Sequence, residues 1–182
     1  MFGLGEAVLI ASAAGNSPWT VLSQGISQIS GWSIGVTTFL TSLAVLLFWI
    51  PLKQKPGIGT ILNVVLISIA IEVSLAYLPQ PDSYGLQVVE AGLGILLVGF
   101  GSGLYLIANL GPGPRDGLMT GLQRVTNLPV ARVRTAIEVA VVFFGWLLGG
   151  TIGLGTLMFA FGIGPAVSMG LYVVNYFSTR ST

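Results

Sequence analysis

The stretch Gly111-Pro112-Gly113-Pro114-Arg115-Asp116-Gly117-Leu118-Met119-Thr120-Gly121-Leu122 decides the fold. It sets two prolines, four glycines and an Arg-Asp pair between long apolar runs. A chain that is otherwise hydrocarbon-like stops there for turn residues and then starts a short helix. Pro114 suits the first helical turn, where its missing N–H loses nothing, and Asp116 faces the positive helix start. The same grammar stands 96 positions earlier, at Gly15-Asn16-Ser17-Pro18-Trp19. This duplication sets the architecture.

Composition names the solvent. Of 182 residues, 53% are hydrophobic and 7% are charged, whereas soluble domains carry roughly 25% charged residues. The chain therefore belongs in a bilayer. A net charge of +1 without a long basic run argues against nucleic acid as a partner. With no Cys and no His, disulfides, thiolate metal sites and imidazole acid–base chemistry are excluded. No metal or cofactor motif is visible. Residues 2–14 include Ala11-Ser12-Ala13, which has the look of a cleavage site, but Glu6 stands where a signal peptide wants basic residues. The stretch reads instead as a first membrane helix.

Taken in order, residues 2–14 are too short to span, since spanning needs about 20 residues. Pro18 to Ser30 read as a short amphipathic helix, with Val21, Leu22, Gly25, Ile26 and Ile29 on one face. Spans follow over Ile34–Leu52 and Ile58–Leu78, then Gly85–Leu110. A second short helix covers Pro114–Thr126, and the last spans are Val130–Leu148 and Leu154 to about Phe177. At one ungapped offset of 96, Gly3, Gly5, Gly15, Pro18, Leu22, Gly25, Gly57, Gly59 and Thr60 align with Gly99, Gly101, Gly111, Pro114, Leu118, Gly121, Gly153, Gly155 and Thr156. Leu and Val matches between spans are cheap; six glycine pairs and a proline pair are not. The expectation is one membrane domain, residues 1–182, with one repeat over about 1–78 and a second over about 86–177. On this alignment the first span lacks a counterpart to residues 86–96. Either the first helix is stunted or the natural start lies upstream.

Each unit reads span, short helix, span, span. Three crossings per unit turn the second copy upside down. Lys53, Lys55, Arg115, Arg124 and Arg180 then share one face, and Arg132 and Arg134 sit in the first turns of a span leaving it. By the positive-inside rule that face is cytoplasmic. Full crossing by the short helices would scatter these cations over both sides. The fold class expected is all-α: about six transmembrane helices plus two short interfacial or re-entrant helices, in two inverted-topology repeats. Both termini are expected in the cytoplasm.

At Gly15-Asn16-Ser17-Pro18-Trp19, Lys55-Pro56-Gly57-Ile58-Gly59-Thr60 and Gly111 to Gly121 the chain resembles the YczE/YyaS/YitT group of bacterial integral membrane proteins, and the YczE-like branch in particular. The resemblance covers nearly the whole chain. It implies a multi-pass protein of the bacterial cytoplasmic (inner) membrane and supplies no catalytic assignment. Members usually begin with a longer, basic end to the first span, and this chain departs there.

Candidate site residues come in three groups. Arg115 and Asp116 stand at the start of the second short helix, where free N–H groups and the dipole favour an anion. The bland reading has Asp116 capping the helix and Arg115 anchoring the interface. Ser17 and Trp19 occupy the corresponding neutral start of the first short helix. Glu72 and Glu138 lie in apolar spans, where an ionisable group costs at least about 2.5 kcal/mol unless paired or hydrated. They read either as coupling-ion sites or, for Glu138, as the partner of Arg134 one turn earlier. Gly15, Pro18, Gly57, Gly59, Thr60, Gly111, Pro114, Gly117, Gly121, Gly153, Gly155 and Thr156 form the structural motif. Gly117 and Gly121 are expected to let the second short helix pack closely on the glycine-rich span 85–110.

The function expected is a permease for a small solute, anionic if Arg115 and the helix start bind it, with its path between the repeats. A non-transporting scaffold or regulator is the competing class, favoured by the small number of polar residues. An enzyme is not expected, since no Ser/His, Cys/His or paired-aspartate arrangement exists. The partners expected are the lipid bilayer and a small-molecule solute.

Overall fold

The computed structural model describes residues 1–178, so Arg180 lies outside the described residues. Among these residues there are eight helices and no strand. They are α1 (Phe2–Ala11), α2 (Pro18–Ser30), α3 (Ile34–Trp49), α4 (Ile58–Leu75), α5 (Tyr84–Ala108), α6 (Pro114–Thr126), α7 (Val130–Leu147) and α8 (Leu154–Ser178). Pro18 and Pro114 open the two short helices as their fixed φ favours. Ser33 and Ser83 cap α3 and α5, their hydroxyls each accepting a backbone N–H at 3.4 Å. Gly57 and Gly153 instead donate their N–H to Thr60 Oγ1 and Thr156 Oγ1, at 3.2 and 3.3 Å, at the starts of α4 and α8.

By length and composition α4, α5 and α8 can each cross a bilayer, and the α2–α3 pair, bent by 116°, adds a fourth if counted together. The outer surface is hydrocarbon: Phe48, Ile58 and Phe161 are 61%, 74% and 80% exposed. Water does not tolerate so continuous an apolar face, and lipid does. This is a helical membrane protein. Two helices expected as spans, α3 and α7, are not long and apolar enough to cross alone, for different reasons. α3 stops at Trp49, where the chain turns through the left-handed Lys53. α7 carries Arg132, Arg134 and Glu138 within its 18 residues.

The core lies between α1, α5 and α8, where Leu9, Ile95, Val98 and Phe159 are buried together. α1 packs on α4 and α5, while α2 crosses to α7 and α3 crosses to α6. That crossing corrects the expected neighbour of the second short helix. Gly117 lies against the Trp49 ring at the end of α3, and Gly121 against Leu52 and Gln54 in the turn after it, rather than on the 85–110 span. The glycines of that span, Gly99 and Gly103, pack instead on Ala166 and Gly170 of α8.

The backbone exceptions have a common spacing. Left-handed φ values occur at Ala13 and Asn109, Gly15 and Gly111, Gly31 and Asn127, and Lys53 and Gly149. Each pair is 96 residues apart, and no other described residue is left-handed. Two tertiary hydrogen bonds obey the same spacing: Gly59 N–H donates to Leu110 O at 2.9 Å, and Gly155 N–H donates to Ala14 O at 2.8 Å.

Candidate functional site

Both short helices begin without a side-chain cap. Ser17 has the right residue type and position to cap α2, but its hydroxyl is diverted. It donates to Glu6 at 2.8 Å, and Thr20 Oγ1 donates to the same carboxylate oxygen at 2.8 Å. Gly113, at the equivalent place before α6, has no side chain to offer. The free N–H groups of two first turns are therefore left unclaimed by caps. Both helix starts line one cavity of about 170 Å³, together with Glu6 from α1, Tyr105 from α5 and Arg134 from α7. A single water needs about 10–15 Å³, so the space admits a small solute.

The start of α6 is held from outside the cavity. Trp49 Nε1 donates to Pro114 O at 3.0 Å and Thr60 Oγ1 to Pro112 O at 2.7 Å. Arg115 thereby projects across to the start of α2. Its guanidinium lies 5.3 Å over the Trp19 ring and 3.9 Å from the Glu6 carboxylate, the second distance being beyond hydrogen-bond range. No hydrogen bond claims any Arg115 side-chain N–H among the described residues, although the side chain is only 20% exposed. Asp116 does not cap α6; it accepts the Tyr105 phenol. Of the buried donors left without a partner among the described residues, two belong to this site: the Trp19 indole N–H and the Thr38 hydroxyl, on residues 6% and 1% exposed. Both residues line the cavity.

The structure thus brings Arg115, Asp116, Ser17, Trp19, Arg134 and Glu138 to one cavity wall. Arg134 Nε donates to Glu138 Oε1 at 2.8 Å, one turn on, as the spacing anticipates. Glu72 lies elsewhere. It accepts the Gly35 N–H at 3.0 Å and so sits on the positive start of α3. Glu72→Gln is accordingly expected to lower stability by about 0.5 kcal/mol and to leave ligand binding at the cavity untouched, as thermal melts and calorimetry would check.

The residue that sequence reasoning passed over is Glu6, 1% exposed. Its signal was present: a lone carboxylate inside an apolar helix is a functional candidate by default. The shortness of α1 disguised its depth. An apolar groove of about 590 Å³ between α1, α4 and α5 adjoins the cavity, sharing Phe2, Asn63, Ile67 and Tyr105 with it.

Residues 1–170 match DUF6198, described as a family of unknown function. The chain is 42% identical over 174 residues to an uncharacterized protein of Haemophilus influenzae, covering 96% of this chain and 80% of the relative. It is 33% identical over 175 residues to the uncharacterized membrane protein YczE of Bacillus subtilis, covering 93% and 81%. It is also 25% identical over 162 residues to YyaS of the same organism, covering 87% and 81%. No solved structure matches. A chain of apolar helices whose relatives include a YczE membrane protein, and whose first 170 residues match one family throughout, belongs to the DUF6198 family as a YczE-like member.

Proposed function

We propose that this protein is a six-crossing permease of the bacterial cytoplasmic membrane, moving a small anionic solute between two inverted repeats and performing no covalent chemistry. The observation that carries the reading is Arg115. Its charged donors are unclaimed inside a cavity where two uncapped helix starts meet. Discontinuous helices whose positive ends point at a solute anion near a repeat interface are the recurrent solution in secondary transporters. The four left-handed pairs and the two matched hydrogen bonds, all 96 residues apart, support the repeat reading. So does the packing, in which α1–α4 answers to α5–α8 and α2–α7 answers to α6–α3. In this arrangement α2 and α6 re-enter from opposite faces. The loop carrying Lys53 and Lys55 and the turn after α6 face the cytoplasm, as do both termini.

Benzenesulfonate tests the reading directly, because it stays a monoanion at all working pH values and does not leak through lipid. Proteoliposomes are expected to take it up faster than protein-free vesicles, and Arg115→Gln is expected to abolish the difference. Uptake no faster than in protein-free vesicles would reject the permease. Orientation is tested separately by single-cysteine labelling, since the chain has no cysteine of its own. Gln54→Cys is expected to resist an impermeant thiol reagent added to intact cells, and labelling from outside would reverse the assigned topology.

A further inference from the structure

The cavity's charges are already balanced when it is empty. Glu6, Asp116 and Glu138 bring three negative charges and Arg115 and Arg134 two positive ones. The starts of α2 and α6 add about half a positive charge each. The total is close to zero, so an anion entering alone would leave one unbalanced negative charge in a water-poor space, which is strongly unfavourable. The groups facing Glu6 show how the balance is kept. From α2 come the hydroxyls of Ser17 and Thr20 at 2.8 Å. From α6 come Arg115 at 3.9 Å and, further round the cavity, Asp116; Tyr105 of α5 and Arg134 and Glu138 of α7 complete the titratable lining. α3 and α4 contribute only the uncharged Thr38, Ser42 and Asn63, and α8 only hydrocarbon such as Phe159.

We infer that Glu6 is the coupling site: a monoanion with an apolar body binds at Arg115 together with one proton, which Glu6 takes up. The inference rests on the anion-binding reading of this cavity and adds the coupling ion and the solute's charge. Hydroxyls make Glu6 suited to the task. Ser and Thr can donate to a carboxylate and, after rotation about the C–O bond, accept from a carboxylic acid. Glu6 therefore keeps its hydrogen bonds in either state. Glu72 is the contrast, since its partner is a backbone N–H that can only donate. Protonating Glu6 also frees Arg115 from its single buried counter-charge at 3.9 Å, so that the guanidinium, the Trp19 indole N–H and the Thr38 hydroxyl are all available to three anionic oxygens. The wall beyond them is Val98, Phe159 and Ile163, which suits a hydrocarbon body. One monoanion and one proton enter, and the net charge of the site is unchanged.

The test is calorimetric titration of the purified full-length protein with benzenesulfonate, run between pH 5.5 and 7.5 in buffers of different ionisation heat. The sulfonate does not titrate, so every proton counted belongs to the protein. The expected result is uptake of one proton per sulfonate, with affinity falling about tenfold per unit rise in pH wherever the full proton is taken up. Glu6→Gln is expected to bind with no proton uptake and a pH-independent affinity, and Glu72→Gln to keep the full coupling. Wild-type binding without proton uptake would overturn the inference, and so would uptake that persists in Glu6→Gln. Absence of binding at every pH overturns it as well. The proton count on the wild-type protein decides the matter even if Glu6→Gln fails to fold. Binding with proton uptake but without flux into vesicles would leave the coupling site standing and remove the permease.

Discussion

Arg115→Met is expected to lower stability by about 3 kcal/mol, and adding Glu6→Gln to the same chain is expected to recover most of that loss. The first change keeps an unbranched apolar stem but deletes the guanidinium and with it the charge facing Glu6. At the 3.9 Å separation of the pair, and with an effective dielectric near 20, the attraction is about 4 kcal/mol. Part of it is offset by the desolvation of both ions. What remains after the mutation is a carboxylate 1% exposed with two hydroxyl donors and no cation. Burying such a group unpaired is the expensive state, not the loss of the pair itself. The cation over Trp19 at 5.3 Å is lost too, worth about 0.5–2 kcal/mol. The double variant has neither charge and should therefore melt close to wild type while failing to bind benzenesulfonate. Thermal and denaturant unfolding in detergent would measure both. If Arg115→Met is as stable as wild type, Glu6 and Arg115 do not depend on each other, and the balanced-cavity argument goes with them.

Much of this architecture is legible in the chain. The Pro-Gly breaks at 15–19 and 111–117 announce both short helices, and the structure starts them at Pro18 and Pro114. Arg115, Asp116, Ser17 and Trp19 stand out because turn chemistry and charge interrupt hydrocarbon. The Arg134–Glu138 pair follows from helical spacing alone. The partners of the helices are a different matter. Periodicity reports which face of a helix is apolar but not which helix meets it, so nothing local to α6 distinguishes α3 from α5 as the neighbour of Gly117. Glu72 misleads for a related reason. Its span looks uniformly apolar in sequence, yet the carboxylate reaches the start of α3, 37 residues away in the chain. Glu6 was hidden by length: a helix of 10 residues reads as a fragment, whereas packing against α4 and α5 places its middle in the protein interior.

The second large effect concerns Gly57 and Gly153. Gly57→Ala and Gly153→Ala are each expected to cost about 3 kcal/mol, and to cost the same within measurement. A Cβ on Gly57 would collide with the Leu110 carbonyl oxygen, and one on Gly153 with the Ala14 carbonyl oxygen. Those oxygens cannot move aside, because Gly59 N–H and Gly155 N–H hold them at 2.9 and 2.8 Å. Backbone preference is not the cause: Gly57 has φ −87°, which alanine adopts freely. The obstruction is backbone against backbone, so no rotamer change relieves it, and the chain must separate α4 from the turn before α6, or α8 from the turn before α2. Gly85→Ala is the control, since a Cβ there meets nothing within 4 Å, and alanine in a helix is favoured over glycine by about 1 kcal/mol. Thermal melts of the three single variants give the comparison. Equal, large losses at positions 57 and 153 with none at 85 are what two structurally equivalent halves require. A chain that tolerates alanine at 153 but not at 57 would mean that the second half has drifted from the first at its contact with the other repeat, and the two-fold reading of the cavity between them would have to be abandoned.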